Sequence, residues 1–131
     1  MPVTEACSTY TRETRPPHPG EGYAGGGEEI DSKIGIPGAI RAIDPRTGDI
    51  RWNSPVHSGS QSAGVLSTGG GVVFAASKDG YLMALDALTG KQLWHYQTGG
   101  EIMNAPMSYA VDGKQYVAVA STSALFTFGL P

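Results

Sequence analysis

The chain has 131 residues, of which 19 are glycine and 9 proline, with 16% charged and 40% hydrophobic residues. That length permits one ordinary domain, and the glycine excess excludes a helix bundle, whose helix interiors tolerate Gly and Pro poorly. Lys and Arg total 9 against 12 Asp and Glu, a formal net charge of −3, so there is no basic face and nucleic acid is not an expected partner.

The start, Met1-Pro2-Val3-Thr4-Glu5, lacks the basic and apolar regions of a signal peptide. No apolar run approaches the length of a membrane span. Cys7 is the sole cysteine, which excludes an internal disulfide. Residues 1–38 hold Arg15-Pro16-Pro17-His18-Pro19-Gly20 and Gly25-Gly26-Gly27-Glu28-Glu29, with no hydrophobic period. Proline fixes φ and glycine loosens it, so this stretch is expected to be an irregular loop or tail.

From Ala39 a repeat takes over. Ala42-Ile43-Asp44-Pro45-Arg46-Thr47-Gly48-Asp49-Ile50-Arg51-Trp52 and Ala84-Leu85-Asp86-Ala87-Leu88-Thr89-Gly90-Lys91-Gln92-Leu93-Trp94 share the pattern A-x-D-x-x-T-G-x-x-x-W. The two tryptophans are 42 residues apart, the length of a four-stranded propeller blade. The pattern has a physical reading. Ala42 and Ala84 sit in strands with no room for a larger side chain. Asp44 and Asp86 end those strands and accept hydrogen bonds from the turn, with Thr47 and Thr89 inside it. Gly48 and Gly90 supply positive φ. Trp52 and Trp94 lie on the following strands and pack flat between sheets, with the indole N–H on backbone.

Further strands are expected at Gly64–Thr68, Gly71–Ser77, Tyr81–Asp86 and Lys91–Gln97, a four-stranded meander, then at Ala105–Val111, Lys114–Ala120 and Ala124–Leu130. No segment favours a helix. The chain is therefore expected to be all-β: the end of one blade, one full blade and three strands of another.

Motif tests for other chemistry fail. Thr89-Gly90-Lys91 lacks the Ser/Thr and the upstream glycine of a phosphate loop. His18, His57 and His95 are scattered without a second ligand at metal spacing. Asp44 and Asp86 recur within the repeat, which marks them as turn caps rather than catalytic carboxylates.

The repeat resembles the tryptophan-docking motif of the quinoprotein dehydrogenases, the PQQ-dependent alcohol and methanol dehydrogenases. Gly64-Val65-Leu66-Ser67-Thr68, Asp79–Asp86 and Asp112–Val119 are similar to the C-terminal end of those enzymes. The resemblance covers residues 39–131 well and residues 1–38 loosely. It implies a partial β-propeller, about two to three four-stranded antiparallel blades of an eight-bladed parent. It also implies PQQ and calcium near the propeller axis, hydride transfer from an alcohol to the quinone, a cytochrome as electron acceptor, and a periplasmic location. By the same resemblance, the calcium ligands and the catalytic carboxylate lie in earlier blades, so this chain carries no catalytic or metal-binding residue of its own.

What remains is a share of the cofactor rim. Loops entering inner strands and loops between second and third strands share one face of a propeller: here Ser58–Ala63, Lys78–Asp79, Gly99–Asn104 and Ser121–Ser123. Ser62, Asn104, Ser121 and Thr122 are the candidate cofactor contacts. Two of these stretches depart from the family: Ser62 stands where a tryptophan is frequent, and Ser121-Thr122 where glycine is. The chain is thus expected to be a C-terminal, partial gene product supplying closing blades (39–131) after a Pro/Gly-rich segment (1–38), and silent alone. Its partners would be the remainder of the propeller or further copies of itself. The alternative is a non-enzymatic propeller module for protein docking, as in outer-membrane assembly lipoproteins.

Overall fold

The computed structural model describes residues 1–31, 38–56 and 63–129. Among them there is no helix, and the strands form four antiparallel sheets. The first contains β1 (Pro2–Thr4), β4 (Gly38–Ile43) and β5 (Ile50–Pro55), in that order. A separate hairpin joins β2 (Ser8–Arg12) to β3 (Gly26–Ile30). The second sheet is a meander of β6 (Val65–Ser67), β7 (Val72–Ala76), β8 (Tyr81–Asp86) and β9 (Gln92–Gln97). The third contains β10 (Met107–Val111), β11 (Lys114–Ala120) and β12 (Leu125–Gly129).

Three sheets stack as successive blades of a partial propeller, and the packing explains their composition. Ile40 from the first blade meets Ala75, Met83 and Leu85 of the second, with Trp52 and Val65 against them. On the opposite face, Ala76 and Leu82 of the second blade meet Val119 of the third, with Ala63 and Ile102 from the connections and Phe126 and Phe128 alongside. The second blade is thus covered on both sides. Four consecutive residues of β8, Leu82 to Leu85, are buried, which is why that strand is continuously apolar rather than alternating. Val117, Ala118 and Val119 of β11 are likewise buried.

The expected strands of residues 39–131 correspond to β4 to β12, shortened by one or two residues at some ends. Residues 1–38 differ from the expectation of irregular chain, because β1, β2 and β3 lie within them. The physical reason is long-range pairing. Pro2 to Thr4 align with Ile40 to Gly38, a partner that no local pattern announces. β2 and β3 are exposed along nearly their whole length, so no face is buried and no apolar alternation marks them.

Candidate functional site

The two repeat turns share their backbone construction, but the Thr47 hydroxyl donates to Asp49 where the Thr89 hydroxyl donates to Asp86. Asp44 Oδ1 accepts the Arg46 N–H at 2.9 Å, and Oδ2 accepts Arg51 at 2.5 Å. Asp86 Oδ1 accepts the backbone N–H of Thr89 at 2.8 Å and that of Leu88 at 3.1 Å. The Thr89 hydroxyl donates to the same oxygen at 2.8 Å. Gly48 N and Gly90 N donate to the carbonyls of Asp44 and Asp86, both at 2.8 Å, with φ of 79° and 71°. Each pair of strands is bulged after the alanine, Ala42 opposite Trp52 and Ala84 opposite Trp94. The carboxyls of both aspartates are held below their ordinary range. For Asp44 the main cause is the Arg51 guanidinium, and for Asp86 the Thr89 hydroxyl.

Trp52 joins two blades. Its Nε1 donates to Ala87 O of the second blade at 2.9 Å. Its ring lies over Gly90, where a Cβ would come 2.5 Å from the indole. Trp94 is placed differently. It meets Phe128 edge-on at 5.3 Å and stacks with Tyr96 at 6.3 Å, and it stays 40% exposed. It borders an apolar cavity of about 380 Å³ between the second and third blades, lined also by Phe74, Val117 and Phe128.

The rim loops come together at one end of the blades. A shallow depression of about 620 Å³ is lined by Lys78 and Asp79 from the β7–β8 turn, Gln97 at the end of β9, Gly99, Gly100 and Glu101 from the link to the third blade, and Thr122 from the β11–β12 turn. Backbone and side-chain bonds tie these loops to one another. Gln97 Nε2 donates to Asp79 O at 3.0 Å. Thr98 N donates to Gly80 O at 2.9 Å, and the Thr98 hydroxyl lies 2.9 Å from both Gly80 O and Gly100 O. Thr122 N donates to Glu101 O at 2.9 Å. A Cβ at Gly100 would come within 2.8 Å of the Thr122 hydroxyl and 3.3 Å of the Ser121 hydroxyl, so these side chains would have to shift to admit one. The Asp79 carboxylate accepts the hydroxyl of buried Ser77, which fixes that turn.

Of the four candidate contacts, only Thr122 lines this depression. Ser121 spends its hydroxyl on the turn itself, bonding at 3.3 Å to Ala124 O. Asn104 is exposed three residues beyond Glu101 and outside the depression. Ser62 lies outside the described residues. Sequence reasoning passed over Lys78, Gln97 and Glu101 as individual residues. The loops of Lys78 and Glu101 were identifiable from blade geometry, while Gln97 was expected only as the end of a strand; which side chains line the concavity depends on how the loops fold back. Among the described residues no group of three or more His, Cys, Asp or Glu could hold a metal ion.

Residues 38–117 match the family model of the glucose/ethanol/alcohol dehydrogenase β-propeller domain. The chain is 39% identical over 131 residues to the 1-butanol dehydrogenase (quinone) of Thauera butanivorans, covering 92% of this chain and 19% of that protein. It superposes on a europium-containing methanol dehydrogenase with a TM-score of 0.82 at 29% identity, covering 91% of this chain and 21% of that one. BamB of Moraxella catarrhalis shares the fold, with a TM-score of 0.52 over 98% of this chain and 35% of its own, at 20% identity. The chain spans about a fifth of the length of the dehydrogenases it matches. The A-x-D-x-x-T-G-x-x-x-W turns, the stacked blades and these matches agree: the chain belongs to the PQQ-dependent alcohol dehydrogenase family, within its β-propeller domain.

Proposed function

We propose that the chain supplies the closing blades of a PQQ-dependent dehydrogenase that oxidises an alcohol, together with part of the rim facing the cofactor. The observation that carries this is the convergence of the loops. The β7–β8 turn, the second-to-third-blade link and the β11–β12 turn meet in one polar depression, on the propeller face where such loops accumulate. Division into a Pro/Gly-rich segment, 1–38, and blades, 39–131, belongs to the same proposal.

The residues present fit only an edge of such a cofactor. Lys78 and Thr122 offer an ammonium and a hydroxyl to a carboxylate-bearing ring, while Asp79 and Glu101 keep the rest of the rim anionic. The donor set does not fit the metal ion, since no cluster of ligands exists among the described residues. When bound, PQQ supplies the quinone carbonyl that accepts hydride. The part of this chain is to position the rim: Thr122 through Glu101 O, and the Lys78 turn through Gln97 and Thr98. Ser62, Asn104 and Ser121 are proposed as neighbours of that edge through their loops. A cytochrome electron acceptor and a periplasmic site of action follow from the family in the same way. No helix of the described residues is long and apolar enough to cross a membrane.

The chain alone is proposed to be catalytically silent, because the base and the metal ligands belong to other blades. Purified chain with PQQ, Ca²⁺, a primary alcohol and a dye acceptor is expected to give no turnover above the protein-free control. Clear alcohol-dependent dye reduction would overturn the proposal.

A further inference from the structure

We propose that β2 pairs edge to edge with β2 of a second copy of this chain. The β2–β3 hairpin is exposed on both faces, with every residue after the first of each strand exposed, and a two-stranded hairpin alone is marginal in water. Glu13 N donates to Gly25 O, and Asp31 N to Cys7 O, both at 2.9 Å. These bonds set the phase of the ladder. With Thr9 opposite Glu29 and Thr11 opposite Gly27, the odd-numbered residues bond to β3. The N–H and C=O of Ser8, Tyr10 and Arg12 then face outward, because bonding alternates along an antiparallel pair. That outward row is a template for one more strand.

The sequence of this edge matches itself. Antiparallel pairing about Tyr10 sets Tyr10 opposite Tyr10 of the second copy, Thr9 opposite Thr11, and Ser8 opposite Arg12. Aromatic and Thr–Thr pairs across strands are favourable, and Arg12 lies diagonal to a tyrosine ring, within reach of a cation–π contact. No like charges face each other. Among the other edges, β3, β5 and β9 are poorer. Pairing β3 with itself about Glu28 would set two carboxylates opposite each other. β5 and β9 carry bulges, which protect an edge. β12 is also an edge strand, and its Phe128 packs against Trp94 and Tyr96 of a blade that extends one strand further. In β2 every residue after Ser8 is exposed.

Sedimentation velocity of the 131-residue chain over a concentration series is expected to show a reversible monomer–dimer equilibrium. Tyr10→Pro removes an outward donor without touching the backbone bonds to β3; both it and Tyr10→Phe lose the Tyr10 hydroxyl bond to Glu28 Oε1, so the comparison of the two isolates the outward N–H. Tyr10→Pro is expected to weaken dimerisation at least about tenfold, some 1.4 kcal/mol, with an unchanged circular dichroism spectrum. Tyr10→Phe keeps the outward backbone row and is expected to dimerise. Cys7, exposed and the sole cysteine, provides an independent readout on the unsubstituted strand. A nitroxide there is expected to report a separation between copies of about 20 Å, six residues along an antiparallel pair. A strictly monomeric wild type, a Tyr10→Pro variant that associates as the wild type does, or the absence of that distance in the dimer would each overturn the proposal.

Discussion

Trp52 and Trp94 hold equivalent places in the repeat, yet they stand in different surroundings. Trp52 bonds to Ala87 O and lies on Gly90, whereas Trp94 is 40% exposed and makes only ring contacts among the described residues. Trp52→Phe is therefore expected to cost about 1–2 kcal/mol through the lost hydrogen bond and area. Trp94→Phe is expected to cost less than about 1 kcal/mol. Urea midpoints of the two variants check the order. The glycines make a parallel pair. Gly48→Ala meets only the cost of a left-handed backbone, about 1 kcal/mol, because nothing lies within 4 Å of the added Cβ. Gly90→Ala adds collision with Trp52 and is expected to lose a further 1–3 kcal/mol or so. The aspartates give a pH dependence. Asp44 and Asp86 have carboxyls lowered in the folded state by Arg51 and Thr89 respectively. Their contribution is complete above the ordinary carboxylate value and lost as pH falls through the lowered one. A melting temperature that falls on acidification below about pH 4, with a smaller fall in Asp86→Asn, is the expected outcome.

At the scale of elements, stability should concentrate in the strands covered on both faces. Leu82 in β8 is fully buried between the second and third blades, so Leu82→Ala is expected to cost about 2–5 kcal/mol. Leu93 in neighbouring β9 is 55% exposed, and Leu93→Ala is expected to stay within about 0.5 kcal/mol. Native-state hydrogen exchange should follow the same gradient. Amides of β8 and β11 exchange slowest, and those of the exposed β2–β3 hairpin fastest. Equal protection of β2 and β8 in the monomer would contradict this ranking. These differences also explain what could be identified from sequence. β8 stands out because four consecutive apolar residues are buried together. β2 and β3 do not, because a strand with two wet faces carries no period, and β1 does not, because its partner is far along the chain.

At the scale of the whole molecule, the middle sheet has four strands while its neighbours have three each among the described residues. Propeller blades gain stability from neighbours on both faces, and only the second blade has both here. The outward side of the third blade leaves Met107 58% and Leu125 72% exposed. Such a face is expected to bind a hydrophobic dye such as ANS, and a Met107→Lys, Leu125→Lys variant is expected to reduce the dye fluorescence without loss of β structure.

The sequence by itself determined the local features: the repeat, the turns with Asp and Gly at fixed offsets, the strand positions after Ala39, and the family that carries them. Each of these depends on interactions within a few residues or on periodic burial, so it leaves a pattern in the chain. Only the tertiary structure decided which tryptophan finds a backbone acceptor, how β1 closes onto β4, and which rim residues share a surface. Lys78, Glu101 and Thr122 come from three loops separated by some twenty residues each, and no local pattern encodes their meeting. It follows from blades stacking with their turns on one side, a consequence of packing two faces of one sheet at once.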